Sequence, residues 1–272
     1  MVSTQIKNSF SSVGEIDSST APSSLLLKLA VTPHALRYFV ISKLHQRVIY
    51  FGNYDLHHVA NTDELAKRVD KIYEKDEALQ LAYGEILIAL DTRYSLLPTE
   101  LSFLTAADKL AQKCGDTGLE LIFDKEEHLI TVLSGLFAEP KFVHLSSTFI
   151  NTLPHLYNDD TERLFINVAP TYFDIIHFSV DKTLKIMNRY EYRADTDFIY
   201  YVLLYCDEMK LNRESIELIL IGEVNSPSKI YDVCYRYFSN IRFIDVPEKM
   251  SFTNAFNGFQ KHLHFNLYNL SE

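Results

Sequence analysis

Lys28-Leu29-Ala30-Val31-Thr32 and Asn167-Val168-Ala169-Pro170-Thr171 stand at corresponding places in two halves of the chain, each where an apolar strand turns into a second one. Around the first, residues 25–30, 36–42 and 47–51 read as strands, residues 62–81 as a helix and residues 85–90 as a further strand. The helix places Leu65, Val69, Ile72 and Tyr73 on one face, with Asp63 and Glu64 complementing its N-terminal dipole. Around the second, strands are expected at 164–168, 172–180 and 183–190, and a helix at 196–211, where Phe198, Tyr201, Val202, Tyr205 and Met209 recur at helical spacing. A strand at 217–221 follows. Ser226-Pro227 then signals a cap and first turn, Ile230, Val233, Cys234 and Tyr237 form the buried stripe of the next helix, and residues 241–244 close the unit.

The order of three strands, helix and strand occurs twice, which marks an internal duplication. Strands 164–168 and 217–221 are apolar on both faces, as a sheet covered by helices on both sides requires. The expected class is therefore α/β, with duplicated halves built on mixed sheets. The expected domains are a disordered tail (1–24), a first half (25–92), an inserted subdomain with a crossover helix (93–161), and a second half with a C-terminal helical segment (162–272). Within the insert, helices are expected at 98–113, 125–137 and 146–156, and a strand at 119–123.

A chain of 272 residues with 47% hydrophobic residues can bury a sizeable core. Its net charge of −10 opposes nonspecific binding to nucleic acid or anionic membranes. Cys114, Cys206 and Cys234 are widely spaced with no CxxC pair, which fits unpaired thiols and a cytoplasmic setting. No run approaches the roughly 20 apolar residues of a membrane span, and the N-terminus has no signal-peptide pattern.

Together these features resemble the actin-like ATPase superfamily over residues 25–245. In that family each half opens with a hairpin carrying Asp-x-Gly-x-Thr or Ser, and Leu220-Ile221-Gly222-Glu223-Val224-Asn225, followed by a helix at Ser228-Lys229-Ile230, is similar to its adenosine motif Leu-x-Gly-Gly-x-Ser. Its degenerate members, such as PilM-like and EpsL-like proteins, are the nearest in shape, alongside uncharacterised bacterial families of the same form. Aligned on the motif, Thr32 and Thr171 remain, whereas Lys28 and Asn167 replace the aspartates that orient Mg²⁺ and Ala30 and Ala169 replace the glycines. Pro170 removes an amide donor, and Glu223 adds bulk and negative charge beside the adenosine position. The resemblance then implies a protein that does not hydrolyse ATP, with no cofactor and no metal, acting as a binding or scaffold module for another protein or peptide. The alternative is a nucleotide or phosphate-ligand protein in which Lys28 is a point charge of a metal-free site; otherwise Lys28 reads as a solvated strand-end lysine. PilM-like proteins further imply a partner groove between the first-half sheet and the insert, here bounded by Tyr94, Leu96, Leu97 and Phe142.

Other constellations read as structural. Adjacent His57 and His58 do not share a face, and His262 and His264 lack a third ligand nearby. Glu126, Glu127 and His128 fit dipole-complementing charge at a helix start. Gly115-Asp116-Thr117-Gly118 is a turn. Lys182, Lys185, Arg189 and Arg193, surrounded by Asp181, Glu191 and Asp195, fit a solvated strand face, and the 17 Tyr and 18 Phe fit core packing.

Overall fold

A computed structural model describes residues 9–17, 19–56, 59–247 and 250–271. The His57-His58 pair lies outside the described residues. The elements run β1 (Phe10–Gly14), β2 (Leu25–Val31), β3 (Ala35–Ser42), β4 (Arg47–Asp55), α1 (Thr62–Tyr73), β5 (Glu85–Leu90), β6 (Tyr94–Pro98), β7 (Lys109–Lys113), β8 (Leu119–Asp124), α2 (Glu127–Leu136), β9 (Lys141–His144) and α3 (Ser147–Leu156). They continue with β10 (Arg163–Val168), β11 (Tyr172–Phe178), β12 (Leu184–Glu191), α4 (Asp195–Glu208), β13 (Glu217–Gly222), α5 (Lys229–Tyr237), β14 (Asn240–Phe243), β15 (Ser251–Phe252) and α6 (Phe265–Tyr268). Among the described residues no helix is long and apolar enough to cross a membrane.

The chain divides into two compact units, the boundary falling between Asn151 and Thr152. In the first, the main sheet runs β1-β4-β3-β2-β5-β9, with β15 also on β4; in the second it runs β12-β11-β10-β13-β14. Strand directions repeat as well. The pairs β2–β3 and β3–β4 are antiparallel and β2–β5 and β5–β9 parallel, and β10–β11, β11–β12, β10–β13 and β13–β14 follow the same sequence. This common order is the duplication expected from the sequence. Burial explains it, since every residue of β10 is buried and Leu218 to Ile221 of β13 are fully so, as parallel central strands demand.

The second unit packs Phe173, Leu220, Phe198, Val202, Cys206 and Cys234 between its sheet and α4 and α5. All three cysteines are free and buried, and burial pushes their thiols upward, Cys234 to about 12. The α1 helix buries Leu65, Ala66, Val69 and Ile72, of which Leu65, Val69 and Ile72 are worth about 1.5–3 kcal/mol each, under an Asn61 cap that accepts from the Glu64 amide.

Four expectations need correction. Phe10–Gly14 is a strand on β4, not disordered tail: its backbone pairs from Phe10↔Tyr54 to Gly14↔Tyr50 despite a serine-rich sequence. Residues 98–113 are not a helix. A short 3-10 turn at Thr99–Leu104 leads into β7, which forms a hairpin with β8 through Gly115 and Gly118, both at positive φ. The helix expected to reach residue 81 stops at Tyr73, with Glu74 as its C-cap. Finally, the C-terminal segment is divided, residues 260–266 staying with the second unit while those before and after them belong to the first. Phe252, Phe256 and Phe259 return to the first unit, where Phe39 meets Phe256 at 6.4 Å and Phe259 at 6.2 Å.

Candidate functional site

The two hairpin turns close in the same hydrogen-bond register. The last pair of β2 and β3 is Val31↔Leu36, and the turn closes with the Thr32 amide on the Ala35 carbonyl at 2.9 Å. In the second unit the last pair is Val168↔Phe173, and the Ala169 amide meets the Tyr172 carbonyl at 2.9 Å. Val31 therefore corresponds to Val168. The true repeat is Ala30-Val31-Thr32-Pro33-His34 against Asn167-Val168-Ala169-Pro170-Thr171, which corrects the alignment that began at Lys28. Matching Thr32 to Thr171 displaced the first copy, because β2 is buried along most of its length and carries no internal marker of register. Ala30 and Asn167 thus occupy equivalent register positions in the two hairpins, as do Thr32 and Ala169.

Each loop is tied to its own scaffold. The Thr32 hydroxyl accepts from the Ala35 amide at 3.0 Å and donates to the Ala35 carbonyl at 3.1 Å, the usual way a threonine closes a turn. The Ala169 carbonyl accepts from the Tyr192 hydroxyl at 2.8 Å, while Pro170 and Thr171 lie exposed.

Lys28 is not a solvated strand-end lysine. It is buried, and its Nζ donates to the Tyr268 carbonyl at 2.7 Å; burial pulls its pKa down to about 8, partly opposed by Glu85.

Asp174 escaped the sequence reading. It is fully buried opposite Asn167, whose amide donates to it at 2.9 Å, and Arg189 Nε meets its other oxygen at 2.8 Å. The Arg189 guanidinium lies 3.6 Å from the Tyr172 ring centroid. Arg189 is thereby removed from the expected solvated face, on which Lys182, Lys185 and Arg193 are indeed exposed. A lone aspartate within the apolar run Phe173-Asp174-Ile175-Ile176 was the available signal.

Gly222 has a local reason to be glycine. Its φ is +80°, and a Cβ there would lie 2.4 Å from the Val168 carbonyl and 2.7 Å from Asn167 Oδ1. The Glu223 amide closes on the same carbonyl at 2.7 Å, and Glu223 itself is exposed. The helix cap beyond is Ser228, accepting from the Tyr231 amide at 3.2 Å, rather than Ser226.

The first unit also holds a groove of about 350 Å³, lined by Thr62 and Leu65 of α1, Leu90 of β5, Arg93, Asp124 and Leu129. Thr62 donates to Glu126 at 2.8 Å and His128 Nδ1 lies 2.6 Å from Asp63, so the charges at the start of α2 bridge to α1. The strand β6 leaves this groove at Tyr94 and, among the described residues, pairs only with β8. Tyr94, Leu96 and Leu97 on it are half-buried. Phe142 sits on β9, the edge strand of the main sheet, and β9 also carries His144, whose ring meets Tyr94 at 5.0 Å. His144 is fixed as the Nε2–H tautomer, donating to the Thr92 carbonyl at 3.0 Å and accepting from the Ser146 amide at 3.1 Å. Of the four residues expected to bound a groove, none lines this one; Arg93, immediately before Tyr94, does. No group of three or more metal-ligating side chains occurs among the described residues.

Two units of one topology, each opening on a hairpin followed by a parallel crossover, define an actin-like ATPase fold. A Bacteroides thetaiotaomicron protein with actin-like ATPase fold and unknown function is similar to this chain at a TM-score of 0.69 and 16% identity, over 85% of this chain and 94% of that one. The PilM–PilN type IV pilus biogenesis complex is similar at a TM-score of 0.58 and 9% identity, over 90% and 97%. Among curated proteins none matches the sequence. The chain belongs to the family described as protein of unknown function (DUF3822), which matches residues 17–112 and 104–241.

Proposed function

We propose that this protein is a non-catalytic actin-like-fold module that binds an extended segment of another protein along β6. The observation that carries the reading is the pairing of β6 on one side only, with half-buried Tyr94, Leu96 and Leu97 beside a groove of about 350 Å³. An edge of this kind supplies main-chain hydrogen bonds for affinity and side-chain pockets for specificity, with no metal or cofactor. Leu101, Phe103 and Leu104, just beyond β6, are exposed apolar residues that extend the surface. Loss of nucleotide chemistry is supported by Ala30 and Asn167 at the aspartate places and by the bond of Lys28 to Tyr268. That the PilM structure is a complex with PilN is consistent with a protein partner here.

A photo-cross-linking residue placed at exposed Ser95, compared with one at exposed Tyr235 on α5, tests the reading in native cells. Position 95 is expected to yield a discrete protein adduct that Leu96→Arg removes. An adduct from position 235 alone, or a small molecule co-purifying with no adduct from either, contradicts it.

A further inference from the structure

A second cavity, of about 680 Å³, lies in the first unit on the side of β1. Its floor follows from the pleat. Tyr50, Gly52 and Tyr54 share one face of β4, and the ring of Tyr38, paired with Gly52, lies so close over it that a Cβ at Gly52 would be 2.4 Å from that ring. The Tyr38 and Tyr54 hydroxyls converge on Asp76 Oδ2 at 2.6 and 2.9 Å, and the Ala78 amide donates to Oδ1 at 2.9 Å.

Asp76 is 6% exposed and held by three neutral donors, with no lysine, arginine or histidine paired to it among the described residues. A buried carboxylate without a counter-cation is costly, and one acceptor direction of Oδ1 is left over. Asp76 lines the cavity together with Asp17 and Glu77, against Lys75 as the single cation among the described lining residues. The rings of Phe10, Tyr50 and Tyr54 form aromatic walls, and Phe10 and Leu81 keep 48% and 41% of their surface exposed at this place. Apolar walls, ring faces and a buried carboxylate together suit a cation carrying an apolar body.

We infer that this cavity binds an organic ammonium ion, its charged nitrogen on the Asp76 carboxylate and its apolar body against Phe10, Tyr50 and Leu81. The site is independent of the β6 surface. Calorimetric titration of the full chain with 2-phenylethylammonium, 2-phenylethanol and 3-phenylpropionate separates charge from shape. The ammonium is expected to bind with a Kd below about 1 mM and the other two at least about tenfold more weakly. Ala82→Trp, at an exposed residue of the lining, is expected to abolish binding with the melting temperature unchanged, and Glu77→Gln to weaken it. Asp76→Asn, if it folds, should lose the preference for the ammonium. Equal binding of the alcohol, absence of saturation by the ammonium at about 10 mM, or full binding by Ala82→Trp each overturns the proposal.

Discussion

Asn167 and Asp174 are directly opposed across β10 and β11, and the Asn167 amide donates to the buried Asp174 carboxylate at 2.9 Å. In the first unit Ala30 and Arg37 occupy the corresponding register. There Arg37 donates to Asn53 Oδ1 at 2.9 Å, whereas in the second unit the partner of the buried carboxylate is an amide, which, unlike a second carboxylate, can donate to Asp174.

Asn167→Asp should therefore destabilise the protein. Two buried carboxylates would share one Arg189, at a cost of about 2–4 kcal/mol. One of them would bind its proton more tightly folded than unfolded, so the loss should shrink between about pH 7.5 and pH 5 in urea denaturation. Stabilisation by Mg²⁺ in this variant would show instead that the site accepts a metal.

Gly222→Ala should cost about 2–3 kcal/mol, because the backbone is at φ +80° and the added methyl meets the Val168 carbonyl. Ordinary stability of this variant in chemical denaturation would mean that the turn moves freely.

What the sequence disclosed and what it concealed divide along physical lines. Strand 85–90 was legible to the residue, since Gly84 and the polar residue Glu85 bound an apolar run, and the duplication followed from the order of such runs. The register of the first loop was concealed, because the buried strand β2 carries no alternation to fix it. Residues 98–113 misled because Leu101 and Leu104 stand three apart, as on one face of a helix, while the structure leaves both exposed. Asp76, Asp174 and the partner of Lys28 depend on contacts between residues distant along the chain, the last over 240 positions.

Lys28 should impose a distinctive alkaline profile. Its folded pKa of about 8 lies below its ordinary 10.5, so the unfolded chain holds the proton more tightly. Stability is thus diminished below about pH 8 and regained as pH rises through that window, by up to about 3 kcal/mol relative to Lys28→Met. Denaturation of both proteins from about pH 7 to pH 10.5 measures the difference; a constant difference contradicts a buried, charged lysine.

His177 should govern the acid side of the second unit. Burial pulls its pKa below the ordinary 6.5, Glu162 opposing, while Nδ1 stays 2.8 Å from the Tyr205 hydroxyl. The unfolded chain then takes up the proton first, and stability falls as pH drops below about 6.5, by no more than about 1.4 kcal/mol per unit for this one group. His177→Gln should flatten that limb, and an unchanged slope would assign it to another group.

The proposal that this protein does not bind nucleotide is tested most directly by calorimetric titration of the intact protein with Mg-ATP. The loops as built, with Ala30 and Asn167 at the equivalent register of the two hairpins and Lys28 on the Tyr268 carbonyl, predict under that proposal no saturable heat and a Kd weaker than about 1 mM. A Kd tighter than about 10 μM, near −7 kcal/mol, would contradict the account and return the protein to the nucleotide-binding members of its fold.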